Sequence, residues 1–406
     1  MSCRHECCEN GRFGVFHVTL IERFFMQQTT IYLDNNATTP LDERVFEAMK
    51  PYFFECFGNA ASNTHVYGMT ARKAVEDSRK TIATLIGAQS EEIIFTSGAT
   101  ESDNLAITGA VEASSKDHKH VITCAIEHKA VLDTCAVLAK KGIDVTILPV
   151  DSDGIVSVEH IENALTENTV LVSIMHANNE IGSVQPIAEI GRICKHNGVL
   201  FHSDATQGIG KLPFHVDEMS VDLASLTAHK MYGPKGIGAL YVRSNCKISP
   251  LIHGGGHESG MRSGTLNVPG IVGLAKALEI AVTSMEEEHQ HTSQLRNLLL
   301  DCLTTHCSTL RINGADPRIV PNKRLPNNLN VSVFGDEGEL LAGALWNVAY
   351  SASSACTSAS GKQSHVLTAI GNSGGQDSAT LRFGIGRFTT LRDIELMCAS
   401  IKEMMS

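Results

Sequence analysis

Residues 169–207 read TVLVSIMHANNEIGSVQPIAEIGRICKHNGVLFHSDATQ, and this stretch decides the fold. It opens on the β-branched run TVLVSIM and closes on GVLFHSD, and a polar cluster follows each run. Between them, PIAEIGRICKHNG is amphipathic and stops at Gly198, the residue type that most readily ends a helix. Strand, helix and strand in succession form a crossover unit, which joins parallel strands.

The same alternation extends to both sides. EEIIFT, HVITCAI, DVTILPV, VDLASLT and GALYVR are further short strand-like runs, and KAVLDTCAVLAKKG is a second amphipathic segment ending at a glycine. From about residue 90 to 243 the pattern predicts a mainly parallel α/β sheet with helices on both faces. Residues 268–303 read as a long helical stretch that carries the chain into a smaller C-terminal α/β domain. A chain of 406 residues suits two domains. The expected division is a large domain over 40–284 and a small domain built from 26–39 together with 285–406. Residues 1–25 are expected to be a disordered extension, with Met26 reading like a start.

Bulk properties narrow the function. The net charge of −11 argues against a nucleic-acid footprint and suits a basic protein partner. No run approaches the roughly 18 apolar residues of a membrane span. The 12 cysteines lack the dense even spacing of a disulfide framework and read mostly as core thiols, such as Cys124 and Cys194. Cys3, Cys7 and Cys8 do not make a metal site by spacing. Glu6, Glu9 and Glu22 fit a mitochondrial presequence poorly, and no signal-peptide core is visible. A cytoplasmic location is expected, with a mitochondrial one as the alternative.

In an open parallel sheet, ligands bind beyond the carboxyl ends of the strands. Five strand-like runs here are followed by compact polar clusters: SGATESDN, EHKA, HANNEIG, ATQG and AHKMYGPKG. Five clusters on one sheet edge point to a shared site. Lys230 directly follows an apolar run, where a desolvated amine could form a Schiff base. Asp204 ends another run, where a carboxylate could keep a pyridinium nitrogen protonated. That pair is the signature of pyridoxal phosphate chemistry. Ser97, Gly98, Ala99 and Thr100 lie between a strand and a helix start, where backbone N–H groups cradle an anion. Nucleotide motifs of the GxxxxGK[ST] or GxGxxG type are absent. The Gly-rich stretch 254–267 adds Thr265 as a further hydroxyl donor. Cys356 stands apart, a thiol within the small-residue run AYSASSACTSASGKQS over 349–364.

Taken together, YLDNNATTP, FTSGATESDNLA, EHKAV, ANNEIG, SDATQ, HKMYGPKG, GGGHESGMRSGTLN, SSACTSAS and LRFGIGRFTT resemble a cysteine desulfurase. This is a fold-type I, class V aminotransferase-like pyridoxal phosphate enzyme, and the resemblance runs from about residue 30 to 395. The SSACTSAS loop resembles the housekeeping iron–sulfur assembly type. The resemblance implies that Lys230 holds the cofactor, that Asp204 pairs with its ring nitrogen and that Gln207 bonds its ring hydroxyl. It assigns His128 to the ring face and to proton transfer. It gives the phosphate to Ala99, Thr100, Thr227 and His229, counts Ala228 among the cofactor-binding residues, and has Thr265 reaching the phosphate of a neighbouring subunit in a homodimer. Thr227 stands where the family commonly has Ser. Asn179 and Arg382 are implied to bind the substrate carboxylate, and Asn179 also to border the cofactor.

Cys356 is then the nucleophile. It takes sulfur from L-cysteine as a persulfide, leaving L-alanine, and hands it to acceptor or scaffold proteins for iron–sulfur assembly or tRNA thiolation. A resident metal is not expected, although Cys356 could transiently ligate a 2Fe-2S cluster with a scaffold partner. Neither direct nucleic-acid binding nor a membrane is expected. The alternatives are a selenocysteine lyase on the same fold and cofactor, a class V aminotransferase, which needs no loop thiol, and a non-catalytic scaffold.

Overall fold

The computed structural model describes residues 30–354, 364–372 and 378–405. Cys356 and residues 1–25 lie outside them. The chain enters on a short strand, β1 (Ile31–Tyr32). Seven strands then build the main sheet: β2 (Ile93–Thr96), β3 (His120–Cys124), β4 (Asp144–Leu148), β5 (Thr169–Ser173), β6 (Leu200–Asp204), β7 (Leu223–Thr227) and β8 (Gly238–Val242). Their order is β2-β8-β7-β6-β5-β3-β4. Strands β3 to β7 pair in parallel, and β8 runs antiparallel to both neighbours, so β2 points the same way as β7. The expected mainly parallel sheet is therefore present, with the carboxyl ends of six strands on one edge.

Every residue of β2, β3, β5 and β7 is buried, as their unbroken β-branched and apolar runs require of strands covered on both sides. One core gathers Phe95, Ile122, Val172, Phe201 and Leu226 with the helix Ile187–His196. That helix buries Ile187, Ile190, Gly191 and Cys194, one stripe at helical spacing. It stops at His196, and Gly198 follows at φ 64°. The opposite core takes Leu105, Ile107, Val121, Val131 and Leu240.

The rest of the chain adds β9 (Arg311–Ile312), β10 (Asn328–Phe334), β11 (Val348–Ala349), β12 (Ser351–Ser354) and β13 (Ser378–Gly384). Four of these form an antiparallel sheet in the order β12-β13-β10-β9, backed by the helices Met285–His306 and Leu391–Met405. Their core includes Leu299, Leu303, Val331, Phe383 and Ile394, together with Ile31 and Leu33 from the opposite end of the sequence. β1 pairs with β11, the Asn35 N–H donates to the Gly384 carbonyl at 3.0 Å, and the Gly384 N–H donates to Leu33 at 2.6 Å.

The helical stretch read over 268–303 is broken. Val268–Thr283 and Met285–His306 meet at Ser284 with a bend of 72°. The Ser284 hydroxyl donates to the Ile280 carbonyl at 2.7 Å and its side chain also meets Glu288, which turns the backbone there. Among the described residues, no single helix is long and apolar enough to cross a membrane.

Candidate active site

The carboxyl edge of the main sheet opens into a cleft of about 640 Å³. Lys230 reaches it from the single 3-10 turn Ala228–Lys230 that follows β7. Its Nζ donates to the carbonyls of Asn36 at 2.7 Å and Ala37 at 2.6 Å. Burial lowers its pKa to about 8, helped by the positive charge of Arg382 and opposed by Asp204 and Asp34. A lysine in this state has a sizeable neutral fraction near neutral pH, which a nucleophilic amine needs.

Asp204 closes β6 and is buried at the cleft floor, where its Oδ1 accepts the Thr206 N–H at 2.9 Å. Gln207 is also buried, donating from Nε2 to the Asn36 carbonyl at 2.9 Å. His128 caps the helix Lys129–Lys140, its Nδ1 accepting from Ala130 N–H at 3.2 Å, and so presents its ring to the cleft from the strand end. Arg382 comes from β13 of the second sheet. Its Nη2 meets Asp34 Oδ1 at 2.8 Å and Ser351 Oγ at 2.5 Å, and its Nη1 donates to the Asn179 carbonyl at 3.3 Å.

The anion end lies at the helix Ala99–Ala113. Gly98 precedes it without a side-chain cap, so the first-turn N–H groups keep their donors for a ligand. A Cβ on Gly98 would stand 3.8 Å from Thr227 Oγ1, within the space between loop and strand. A Cβ on Gly238 would meet Leu226 O at 2.5 Å and Gly98 Cα at 2.7 Å, so β8 begins with glycine for close approach. Ala99, Thr100, Thr227 and His229 border this end. Burial, followed by the charges of Lys230, Lys235 and Lys211, pushes His229 down to about 4, leaving a neutral ring beside Thr38 Oγ1 at 3.1 Å.

Lys230, Asp204, Gln207, His128, Asn179, Arg382, Ala99, Thr100, Thr227 and His229 thus converge on one cleft. Two residues of the sequence reading stand apart from it. Ala228 is fully buried and its N–H already donates to the Ile237 carbonyl at 3.2 Å, so it packs beneath the phosphate end instead of facing it. Thr265 is exposed on the 254–267 loop, away from the cleft of its own chain. Arg262 ties that loop to the helix start through Glu101, Nε to Oε1 at 2.7 Å. The reading also passed over Asp34, Asn36 and Thr206, although YLDNNATTP and SDATQ contain them.

Three buried polar atoms of this region have no hydrogen-bond partner among the described residues: Arg382 Nε, Thr206 Oγ1 and Asn36 Oδ1. A cleft with orphaned polar atoms, an uncapped helix start, a buried carboxylate and a lysine of lowered pKa matches an anionic heterocycle with a carbonyl. Pyridoxal phosphate, whose phosphate, ring nitrogen and aldehyde call for these three partners, fits it.

The aminotransferase class-V profile matches residues 31–397. The chain belongs to the class-V aminotransferase family. Membership implies a pyridoxal phosphate cofactor. Among curated relatives, a protein named cysteine desulfurase IscS from Anaeromyxobacter sp. (strain Fw109-5) is 52% identical over 367 residues, covering 90% of each chain. A protein of the same name from Rickettsia akari (strain Hartford) is 50% identical over 381 residues, covering 92% of each. Among solved structures, a NifS-like protein superposes with a TM-score of 0.83 at 40% identity, covering 92% of this chain and 99% of its own. A structure described as SspA in complex with cysteine gives 0.77 at 38% identity, covering 89% of this chain and 100% of its own. The family resemblance read from the motifs is borne out.

Proposed function

We propose that the protein is a pyridoxal phosphate-dependent cysteine desulfurase that takes sulfur from L-cysteine, releases L-alanine and holds the sulfur as a persulfide on Cys356. The observation that carries this reading is Lys230, a buried amine near neutrality, in a cleft shared with the Asp204 carboxylate and the Arg382 guanidinium. Bound there, pyridoxal phosphate supplies a protonated ring that accepts the electron pair left when a substrate loses its Cα proton.

The chain's own residues do the rest. The Asp204 carboxylate holds the proton on the ring nitrogen, and Gln207 donates to the ring hydroxyl. Ala99 and Thr100 offer helix N–H groups to the phosphate, with Thr227 and His229 beside them. Arg382 and Asn179 hold the substrate carboxylate, and Arg382 already has Asp34 to keep its fork in place. Lys230 Nζ, when uncharged, takes the Cα proton, and His128 serves as a second proton carrier at the strand end. The Cys356 thiolate then attacks the substrate sulfur: the new S–S bond forms as the Cβ–S bond breaks, the electrons leave on Cβ, which takes a proton, and the proton removed from Cα is returned to Cα, giving L-alanine.

Two copies complete the site in this reading. What supports it is Thr265, exposed away from its own cleft, and the apolar surface of Phe53, Phe54, Phe57 and Tyr67, each more than half exposed. The acceptor of the sulfur is a basic protein, in keeping with the net charge of −11.

The test is optical. The purified protein is expected to show a visible cofactor band that Lys230→Ala abolishes or shifts, with secondary structure unchanged. Cofactor bound with the same spectrum in Lys230→Ala would overturn the reading.

A further inference from the structure

Behind the cleft, the main sheet carries a polar layer that the proposed chemistry leaves unused. Asp103 lies in the helix Ala99–Ala113 and Glu127 lies just past β3, and both are fully buried. Neither meets a cation. Both oxygens of Asp103 lack a hydrogen-bond partner among the described residues. The nearest basic atom, His202 Nε2, stands 3.7 Å from Asp103 Oδ1, beyond hydrogen-bonding reach.

His202 is satisfied elsewhere. Its Nδ1 is 2.8 Å from Ser173 Oγ and its Nε2 is 3.0 Å from Ser225 Oγ. One hydroxyl donating and the other accepting is what a neutral imidazole needs, and burial lowers the His202 pKa to about 3. The Ser225 hydroxyl lies between His202 Nε2 and Asp103 and lowers the Asp103 pKa in part, against the larger effect of burial. Glu127 Oε1 accepts the Met175 N–H at 2.6 Å and the Cys124 thiol at 3.3 Å, while its Oε2 has no partner among the described residues. The charged group facing both acids is Asp204 from β6, and Glu127 also acts on Asp103. An ionised Asp103 or Glu127 would be a buried charge with no cation to offset it, repelled by Asp204.

We propose that Asp103 and Glu127 are positioning residues that stand as neutral acids behind Asp204, so that the cleft presents a single carboxylate to the cofactor's ring nitrogen. This rests on the pyridoxal phosphate reading of Asp204, but the protonation states belong to the folded chain and can be read without cofactor. Burial first, and the charge of Asp204 with it, holds Asp103 well above the ordinary carboxylate range and Glu127 up at about 8. A second ionised carboxyl beside Asp204 would be disfavoured by like-charge repulsion and would leave two carboxylates competing for the ring proton.

The test is infrared spectroscopy of the cofactor-free protein in the carboxylic-acid C=O region. At pH 7 the wild type should show buried-acid bands, with Asp103→Asn removing one and Glu127→Gln another. The Glu127 band should titrate away near pH 8. In Asp204→Asn its midpoint should fall by on the order of one unit, because a neighbouring negative charge is gone. A wild type without such bands at pH 7 would overturn the proposal and place Asp103 in an ion pair with a protonated His202; this measurement decides even if Asp103→Asn does not fold. A Glu127 midpoint that ignores Asp204→Asn would break the link to the cleft. Failure of the cofactor reading looks different: the visible band of the loaded protein would be indifferent to Asp204→Asn while the infrared results stand.

Discussion

Replacing Arg382 by Gln should separate substrate binding from amine activation in one variant. Arg382 sits in the middle of an antiparallel strand paired on both sides, so the backbone that carries it is held. Its guanidinium is mostly buried and makes charged hydrogen bonds to Asp34 and Ser351. A forked bond to a substrate carboxylate is worth about 2–3 kcal/mol once the competing hold of Asp34 is set against it, a loss of about 30- to 150-fold in kcat/KM. The loss should appear mostly in KM, measured by alanine release from cysteine. A second effect follows from charge alone. After burial, the positive charge of Arg382 is the main influence that keeps Lys230 down near 8, and Asp204 and Asp34 pull the other way. Removing Arg382 leaves both carboxylates unopposed, so the Lys230 pKa must rise. The assay is the rate at which cofactor-free protein captures pyridoxal phosphate, followed by absorbance across pH. That rate should climb through about pH 8 in the wild type and at a more alkaline midpoint in Arg382→Gln. A kcat/KM within threefold of wild type, or a midpoint that moves toward acid, would refute the reasoning.

Two further outcomes follow. Glu127 has a folded pKa near 8 against an ordinary value of 4.5, so the folded state binds the extra proton between those values. Its contribution to stability is therefore present below about pH 4.5 and is lost as pH rises toward 8; Glu127→Gln should flatten that decline, by about 3 kcal/mol at pH 7, and parallel urea-unfolding curves from pH 5 to 8 for the two proteins would contradict it. Gly238→Ala places a Cβ against Leu226 O and Gly98 Cα, so it should lower stability by about 1–3 kcal/mol and loosen the phosphate end; calorimetry and cofactor titration check this, and an unchanged melting temperature with unchanged affinity would show that the strand start is slacker than its geometry implies.

The parts legible in the sequence are those set by local pattern. Unbroken β-branched runs announced buried parallel strands, and the residues just past them, Lys230 and Asp204 above all, had to lie on one edge because parallel strands end together. The bend at Ser284 was hidden because apolar periodicity runs through it and a hydroxyl turning back on the chain leaves no trace in that period. Asp34 and Asn36 were passed over because their partners are more than 170 positions away in sequence, in Arg382, Gln207 and Lys230. Asp103 and Glu127 sit within the SGATESDN and EHKA clusters, and letters alone do not show that both are buried. The resemblance implies that Ala228 binds the cofactor, yet its N–H is already used in holding β8 beside β7. Cys356, the nucleophile that the resemblance implies, lies outside the described residues.

The two carbonyls that receive the Lys230 amine belong to a segment fastened at its other side to Gly384, 349 positions after Asn35. During synthesis, Asn36 and Ala37 leave the ribosome early and Lys230 follows, but the strand that clasps them is among the last pieces made. At biosynthetic rates of about 5–20 residues per second, the delay is on the order of tens of seconds. For that interval the main sheet can be complete while the lysine has no lid of carbonyls and Arg382 is not yet beside it. A nascent chain truncated before β13 would lack the positive charge of Arg382 beside Lys230, one of the two influences that lower the pKa of its amine.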